Sequence, residues 1–174
     1  MARCKIFSLV ATCILCTIAA CSRQAPGVGT SAAQTAGQST AVSGNACERK
    51  LIAAQDVTGL LGAAVTAYKN IPGDPQTCEF GTATGFSSVT ISVRPGHGMA
   101  AVGMYTSGKM DEFEKSAPLA GFGDAAVRSL QLNRVVARKG DLLCEVTGPG
   151  LAKGADDPAI HALAALCNKI FAAY

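Results

Sequence analysis

Residues 134–174 read RVVARKGDLLCEVTGPGLAKGADDPAIHALAALCNKIFAAY, and the fold is decided here. Two short apolar-alternating runs, 134–138 and 142–147, flank Lys139-Gly140-Asp141, the composition of a compact hairpin connection. Leu142, Cys144 and Val146 fall on one strand face. Downstream, Asp157 is placed to cap a helix and Pro158 suits its first position. Ile160, Leu163, Cys167, Ile170, Phe171 and Tyr174 then recur at helical spacing as one apolar stripe. A helix with such a stripe and a strand with such a face must cover each other, which predicts helices packed on an antiparallel sheet.

Working outward, 125–130 reads as a third strand, after a turn at 119–124. Residues 87–94 alternate Val89, Ile91 and Val93 with Thr90, Ser92 and Arg94, one face dry and one wet. Residues 78–82 form a further strand with Cys78 and Phe80 on one face. Val57, Leu60 and Leu61 before Gly62 mark a short helix, and 99–115 reads as helical with a break near Ser107-Gly108. The stretch NIPGDPQT at 70–77 holds two prolines and a glycine and is expected to be loop. The sum is an α+β domain over 47–174, its antiparallel sheet of about five strands.

The chain ahead of it differs in kind. Arg3 and Lys5 precede an uncharged run, 6–20, too short for a membrane-spanning helix and right for a secretory signal. It ends in Ile18-Ala19-Ala20-Cys21, which resembles the lipobox of bacterial lipoproteins. That resemblance implies a signal peptide over 1–20, acylation of the Cys21 thiol with cleavage before it, and anchoring in a cell-envelope membrane. Ser22, where an aspartate would favour inner-membrane retention, implies the outer membrane facing the periplasm in a Gram-negative source. Residues 21–46 then carry the lipidated cysteine and a small, polar segment expected to be a disordered tether.

Eight cysteines divide cleanly. Cys4, Cys13 and Cys16 leave with the signal and Cys21 takes lipid, so Cys47, Cys78, Cys144 and Cys167 remain, an even number in an exported domain. Three pairings are possible. The shared core of the last strand and last helix favours Cys144–Cys167, leaving Cys47–Cys78. Zinc is the weaker reading, because these four cysteines include no CxxC pair and His97 and His161 are the only histidines.

Cys47 with Leu51-Ile52-Ala53-Ala54-Gln55-Asp56-Val57, Leu60-Leu61-Gly62 and Cys78-Glu79-Phe80 resembles the opening of DUF3558-type small bacterial lipoproteins. Phe122-Gly123-Asp124-Ala125-Ala126 and Arg138-Lys139-Gly140-Asp141 resemble their later half. The resemblance implies an architecture and an address, and no reaction.

Charge narrows the function classes. The chain is 49% apolar and 16% charged, with a formal charge of +3. Arg3, Lys5 and Arg23 supply that excess; residues 47–174 hold twelve basic side chains (15 less those three) against 12 acidic ones. A neutral domain lacks the electrostatic attraction on which nucleic-acid binding rests, and Arg134, Arg138 and Lys139 read as a solvated cluster. No GxSxG, HExxH, SxxK or P-loop pattern occurs. His97, Met99, Met104 and Met110 form a soft-ligand cluster with copper as one reading, but their spacings miss a common helical face, so the methionines are expected to fill core gaps. Asp111, Glu112 and Glu114 read as a wet helix face, Gly121–Asp124 as a tight turn, and His161 as a surface or boundary residue. The expectation is a non-enzymatic, membrane-anchored envelope module with no cofactor, binding an envelope protein. A lipid-anchored cell-wall enzyme or a copper-handling protein is the alternative.

Overall fold

A computed structural model describes residues 44–107, 115–151, 153–154 and 156–174. The signal, Cys21 and most of the expected tether lie outside them, as do Met110, Asp111, Glu112 and Glu114. The described residues hold three helices, α1 (Ala54–Leu61), α2 (Gly98–Thr106) and α3 (Pro158–Phe171). They also hold seven strands: β1 (Lys69–Ile71), β2 (Asp74–Gly81), β3 (Ser88–Pro95), β4 (Ser116–Pro118), β5 (Ala125–Ser129), β6 (Leu132–Lys139) and β7 (Leu142–Leu151). All seven form one antiparallel sheet in the order β1-β2-β3-β7-β6-β5-β4. The domain is α+β, with two strands more than the sequence predicts.

The extra strands have identifiable causes. Residues 70–77 are not loop: Ile71-Pro72-Gly73-Asp74 is a tight turn joining β1 to β2. Proline presets the first central position, and Gly73, at φ 81°, supplies the left-handed second one. Pro75 sits where the β1–β2 register shifts, so the ladder asks no N–H of it. β4 is a three-residue edge that ends in Pro118, too short to show a period.

Alternation places the core. Cys78, Phe80, Val89, Ile91, Val93, Val135, Cys144 and Val146 face α1 and α3 and are buried with Val57, Ile160, Leu163, Cys167, Ile170 and Phe171. Burying each such aliphatic side chain stabilises the fold by about 1.5–3 kcal/mol. Tyr174 leaves the predicted stripe: α3 stops at Phe171, and the Tyr174 ring lies exposed beneath the Arg49 guanidinium, 4.0 Å away. On the other face α2 covers β5–β7 with a smaller cluster, Val102 and Tyr105 against Val127, Val136 and Leu143.

Disulfides join Cys47 to Cys78 and Cys144 to Cys167, with Cα atoms 6.3 and 5.7 Å apart. The fold also starts earlier than 47. Asn45 and Ala46 are buried, and the Asn45 carboxamide oxygen accepts the amides of Cys47 and Glu48 while its nitrogen donates to Asn70. The last two residues of the expected tether therefore belong to the domain.

Candidate functional site

Among the described residues, the sheet face away from α1 and α3 is covered only in part. α2 lies over β5–β7, and among the described residues no helix covers the same face of β1, β2 and β3. Register sets what that open half presents. Lys69, Glu79, Thr90, Thr147 and Arg134 form one cross-strand row, and Thr77, Ser92 and Glu145 the next. These positions alternate with the residues that fill the core; Thr77 and Ser92 are themselves buried, and the others are half-buried or exposed.

Where the open half meets α2, a groove of about 240 Å³ is bordered by Arg94, His97, Met104, Tyr105, Leu143 and Glu145. Its charged walls are held in place. Arg94 donates to Asp74 Oδ2 at 2.7 Å and to Ser92 Oγ at 3.0 Å. Asp74 also accepts from Thr77 Oγ1 at 2.8 Å and from the Gln76 amide at 3.1 Å. Burial alone would raise the Asp74 carboxyl, but these hydrogen bonds and the Arg94 charge outweigh it and hold it below its ordinary 3.8. Opposite, the lining residues Glu145 and Tyr105 are both held by Arg134, which lies behind the groove: it pairs with Glu145 at 2.7 Å and donates to the Tyr105 hydroxyl at 2.5 Å. The Arg134 guanidinium also lies 5.5 Å from the Tyr105 ring centre. Charged hydrogen bonds arranged before a ligand arrives lower the ordering cost of recognition.

Several sequence expectations change here. Met99 and Met104 do not fill the core: they are 61% and 50% exposed, because α2 turns Gly98, Val102 and Tyr105 inward. Arg134, Arg138 and Lys139 are not a solvated basic cluster. Arg138 lies 3.7 Å from Asp124 and donates to the Gly140 carbonyl, while Lys139 donates to the Phe171 carbonyl at 3.1 Å. His97 is exposed just ahead of α2, and His161 is exposed with its ring 5.9 Å from that of Phe122.

The turn at Gly121–Asp124 is a lock between elements. The Gly123 amide donates to Asn168 Oδ1 at 3.0 Å, the Asp124 amide to the Arg138 carbonyl at 2.8 Å, and the Gly140 amide to Asp124 Oδ2 at 2.7 Å. Gly123 sits at φ 57°, and a Cβ there would fall 2.2 Å from the Arg138 carbonyl oxygen. A cavity of about 260 Å³ beside Asn168 and Phe171 belongs to this lock. One of about 410 Å³ lies between α1 and the start of α3, near Asp56 and Asp157.

Asp74, Tyr105 and Glu145 escape sequence reasoning. Glu145 reaches the groove by strand register, Tyr105 by the packing of α2 on the sheet, and Asp74 touches it only through Arg94. Among the described residues no cluster of His, Cys, Asp and Glu is arranged to hold a metal ion, and no helix is long and apolar enough to cross a membrane. No protein-family model, curated protein or solved structure matches the chain.

Proposed function

We propose that this chain is a non-enzymatic lipoprotein of the cell envelope, anchored through acyl chains on Cys21, whose open polar sheet face binds an envelope protein. The observation that carries the binding role is that face: β1, β2 and β3 present Thr90 and the ion pairs Lys69–Glu79 and Arg94–Asp74 beside a groove whose arginine, Arg94, is already engaged. The Ile18–Cys21 motif behind a charged, apolar leader supports the anchor, with Ser22 supporting an outer membrane facing the periplasm. Two disulfides accord with an oxidising compartment. Kinship with DUF3558-type lipoproteins belongs to the same proposal. Its support is that the two later motifs meet, Asp124 accepting from the Gly140 amide.

Two measurements test it. The mature domain is used to capture proteins from envelope extract, alongside Thr90→Arg in the centre of the open face and Ala165→Lys on the exposed side of α3. A partner retained by wild type and Ala165→Lys and lost with Thr90→Arg is the expected result; equal retention by all three discards this face. Separately, Cys21→Ala should move the full chain out of a detergent phase, and continued partitioning would refute the anchor.

One observation favours copper handling as a second reading, since His97 and Met104 border one groove and Met99 is exposed nearby. Met99 and Met104 are five residues apart on α2, which turns them to different sides. Cu(I) titration against a competing chelator should therefore find no tight site; one abolished by Met104→Ala would reverse the order of the two readings.

A further inference from the structure

The two ends of the sheet are chemically unlike. At one end the β2–β3 hairpin tip, the β5–β6 turn and the last residues of β7 lie side by side, as the pairings Gly81↔Ser88, Thr90↔Thr147 and Leu132↔Leu151 require. Residues 80–88, 129–133 and 146–151 carry no charge at all. They nevertheless expose the largest apolar side chains of this end: Phe86 at 93%, Leu151 at 68%, Leu130 at 42% and Leu132 at 39%. Isolated exposed leucines are ordinary, but four large apolar groups set apart along one end of the sheet, on three loops without charge, are not.

We propose that this end is a rim that rests in the interface of the lipid bilayer; the proposal builds on the lipid-anchor reading above. Three observations select lipid over a protein partner. Phe86 stands clear of every neighbouring wall, so it offers a wedge and no pocket. The apolar tips span the ends of β2 to β5, roughly 15–20 Å, with Gly, Ser, Thr, Pro, Asn and Gln between them. A protein interface needs a continuous, shape-matched apolar centre, whereas a bilayer accepts separate apolar tips set among uncharged polar groups. Finally, Gly44 follows Cys21 by 23 residues (44 − 21), a contour of at most about 80 Å, so an acylated Cys21 keeps the rim within reach of the membrane. Held there, even a weak contact is populated. The rim would fix which way the domain faces, with the open polar face turned sideways.

The chain contains no Trp, so a single introduced indole reports one place. Phe86→Trp and Leu151→Trp are made at the rim and Gln76→Trp near the opposite end, in residues 22–174 carrying an N-terminal hexahistidine. The tag holds each on vesicles of phosphatidylethanolamine and phosphatidylglycerol containing a nickel-chelating lipid, which replaces the acyl anchor. The rim contact predicts blue-shifted emission and roughly two-fold or greater quenching by brominated lipid for both rim probes, unchanged by high salt, and neither effect for Gln76→Trp. Equal behaviour at the two ends would overturn the rim, as would quenching that salt abolishes. Because the tag supplies the tether, this outcome is independent of whether Cys21 is acylated, which the detergent partition decides.

Discussion

At the charged end of the sheet hydrogen bonds from three successive amides gather on one hairpin; at the rim a few bonds cross between elements, such as the Leu130 amide to the Lys115 carbonyl at 2.7 Å and Asn133 Nδ2 to the Pro149 carbonyl at 2.5 Å, and the loop tips close on themselves. The amides of Gly96, His97 and Gly98 all converge on the Asp141 carbonyl, at 3.0 to 3.2 Å, tying β3 and the start of α2 to the β6–β7 hairpin. The Met99 amide reaches the Asp141 carboxylate, and Lys139 reaches the end of α3. At the other end the Thr82 amide bonds to the Ser87 carbonyl within one hairpin, and Ser129 Oγ accepts the amides of Gln131 and Leu132 within one turn. The difference separates two uses of loops: the Asp141 hairpin fixes neighbouring elements, and the tip carrying Phe86, closed by bonds within its own hairpin, is free to carry function.

The sharpest way to break this contrast is Gly123→Ala. The left-handed φ and the contact with the Arg138 carbonyl both penalise a side chain, and the obstruction is backbone that cannot swing away. Stability should fall by about 3–4 kcal/mol in urea unfolding. A loss below about 1 kcal/mol would mean that the turn is not a lock and that the two ends differ less than their hydrogen bonds imply.

Much of the fold was legible, because strands β3 and β7 and helix α3 each bury one face and so advertise their period. Val89, Ile91 and Val93, or Ile160, Leu163 and Ile170, could belong to nothing else. Residues 70–77 misled because Pro72, Gly73 and Pro75 carry the same composition in a loop and in a two-residue turn with a bulge; only the partner strand distinguishes them. Tyr105 and the methionines of α2 misled differently. That helix buries a narrow face, Gly98, Val102 and Tyr105, and leaves large apolar groups outside, so hydrophobicity carried no direction. The candidate groove was invisible for a third reason. Arg94 and Glu145 are ordinary polar-face residues until register sets their strands side by side and α2 closes the groove over them.

An intermediate effect is expected from acid. The carboxyls of Asp74 and Asp56 are both held below 3.8 against the opposing pull of burial, by hydrogen bonds and by Arg94 and Lys169 respectively. A depressed folded-state pKa means that the stabilisation is complete above about pH 4 and is lost as pH falls through the lower folded value. Asp74→Asn should lower stability at neutral pH by about 1 kcal/mol or less, since the pair is partly exposed and screened. It should also make the decline below about pH 4 shallower than in wild type. Parallel acid profiles for the two proteins would show that the charged end owes nothing to this carboxylate.

The smallest effect should come from the rim, and its smallness is informative. Phe86→Ser and Leu151→Ser remove large apolar groups that touch little of the protein: Phe86 is 93% exposed and Leu151 68%. A side chain that stays in water on folding contributes almost nothing through burial, so each substitution should change stability by less than about 0.5 kcal/mol. Serine in place of phenylalanine at a hairpin tip also leaves the local bonds of Thr82, Thr84 and Gly85 intact. A side chain that costs solubility and gives no stability needs another reason for its place, and a lipid surface supplies one. Urea unfolding of the double variant in the absence of lipid decides whether the premise holds. A loss of about 2 kcal/mol or more would place Phe86 and Leu151 among the structural contacts of the fold, and the division between a locking end and a contacting end would collapse.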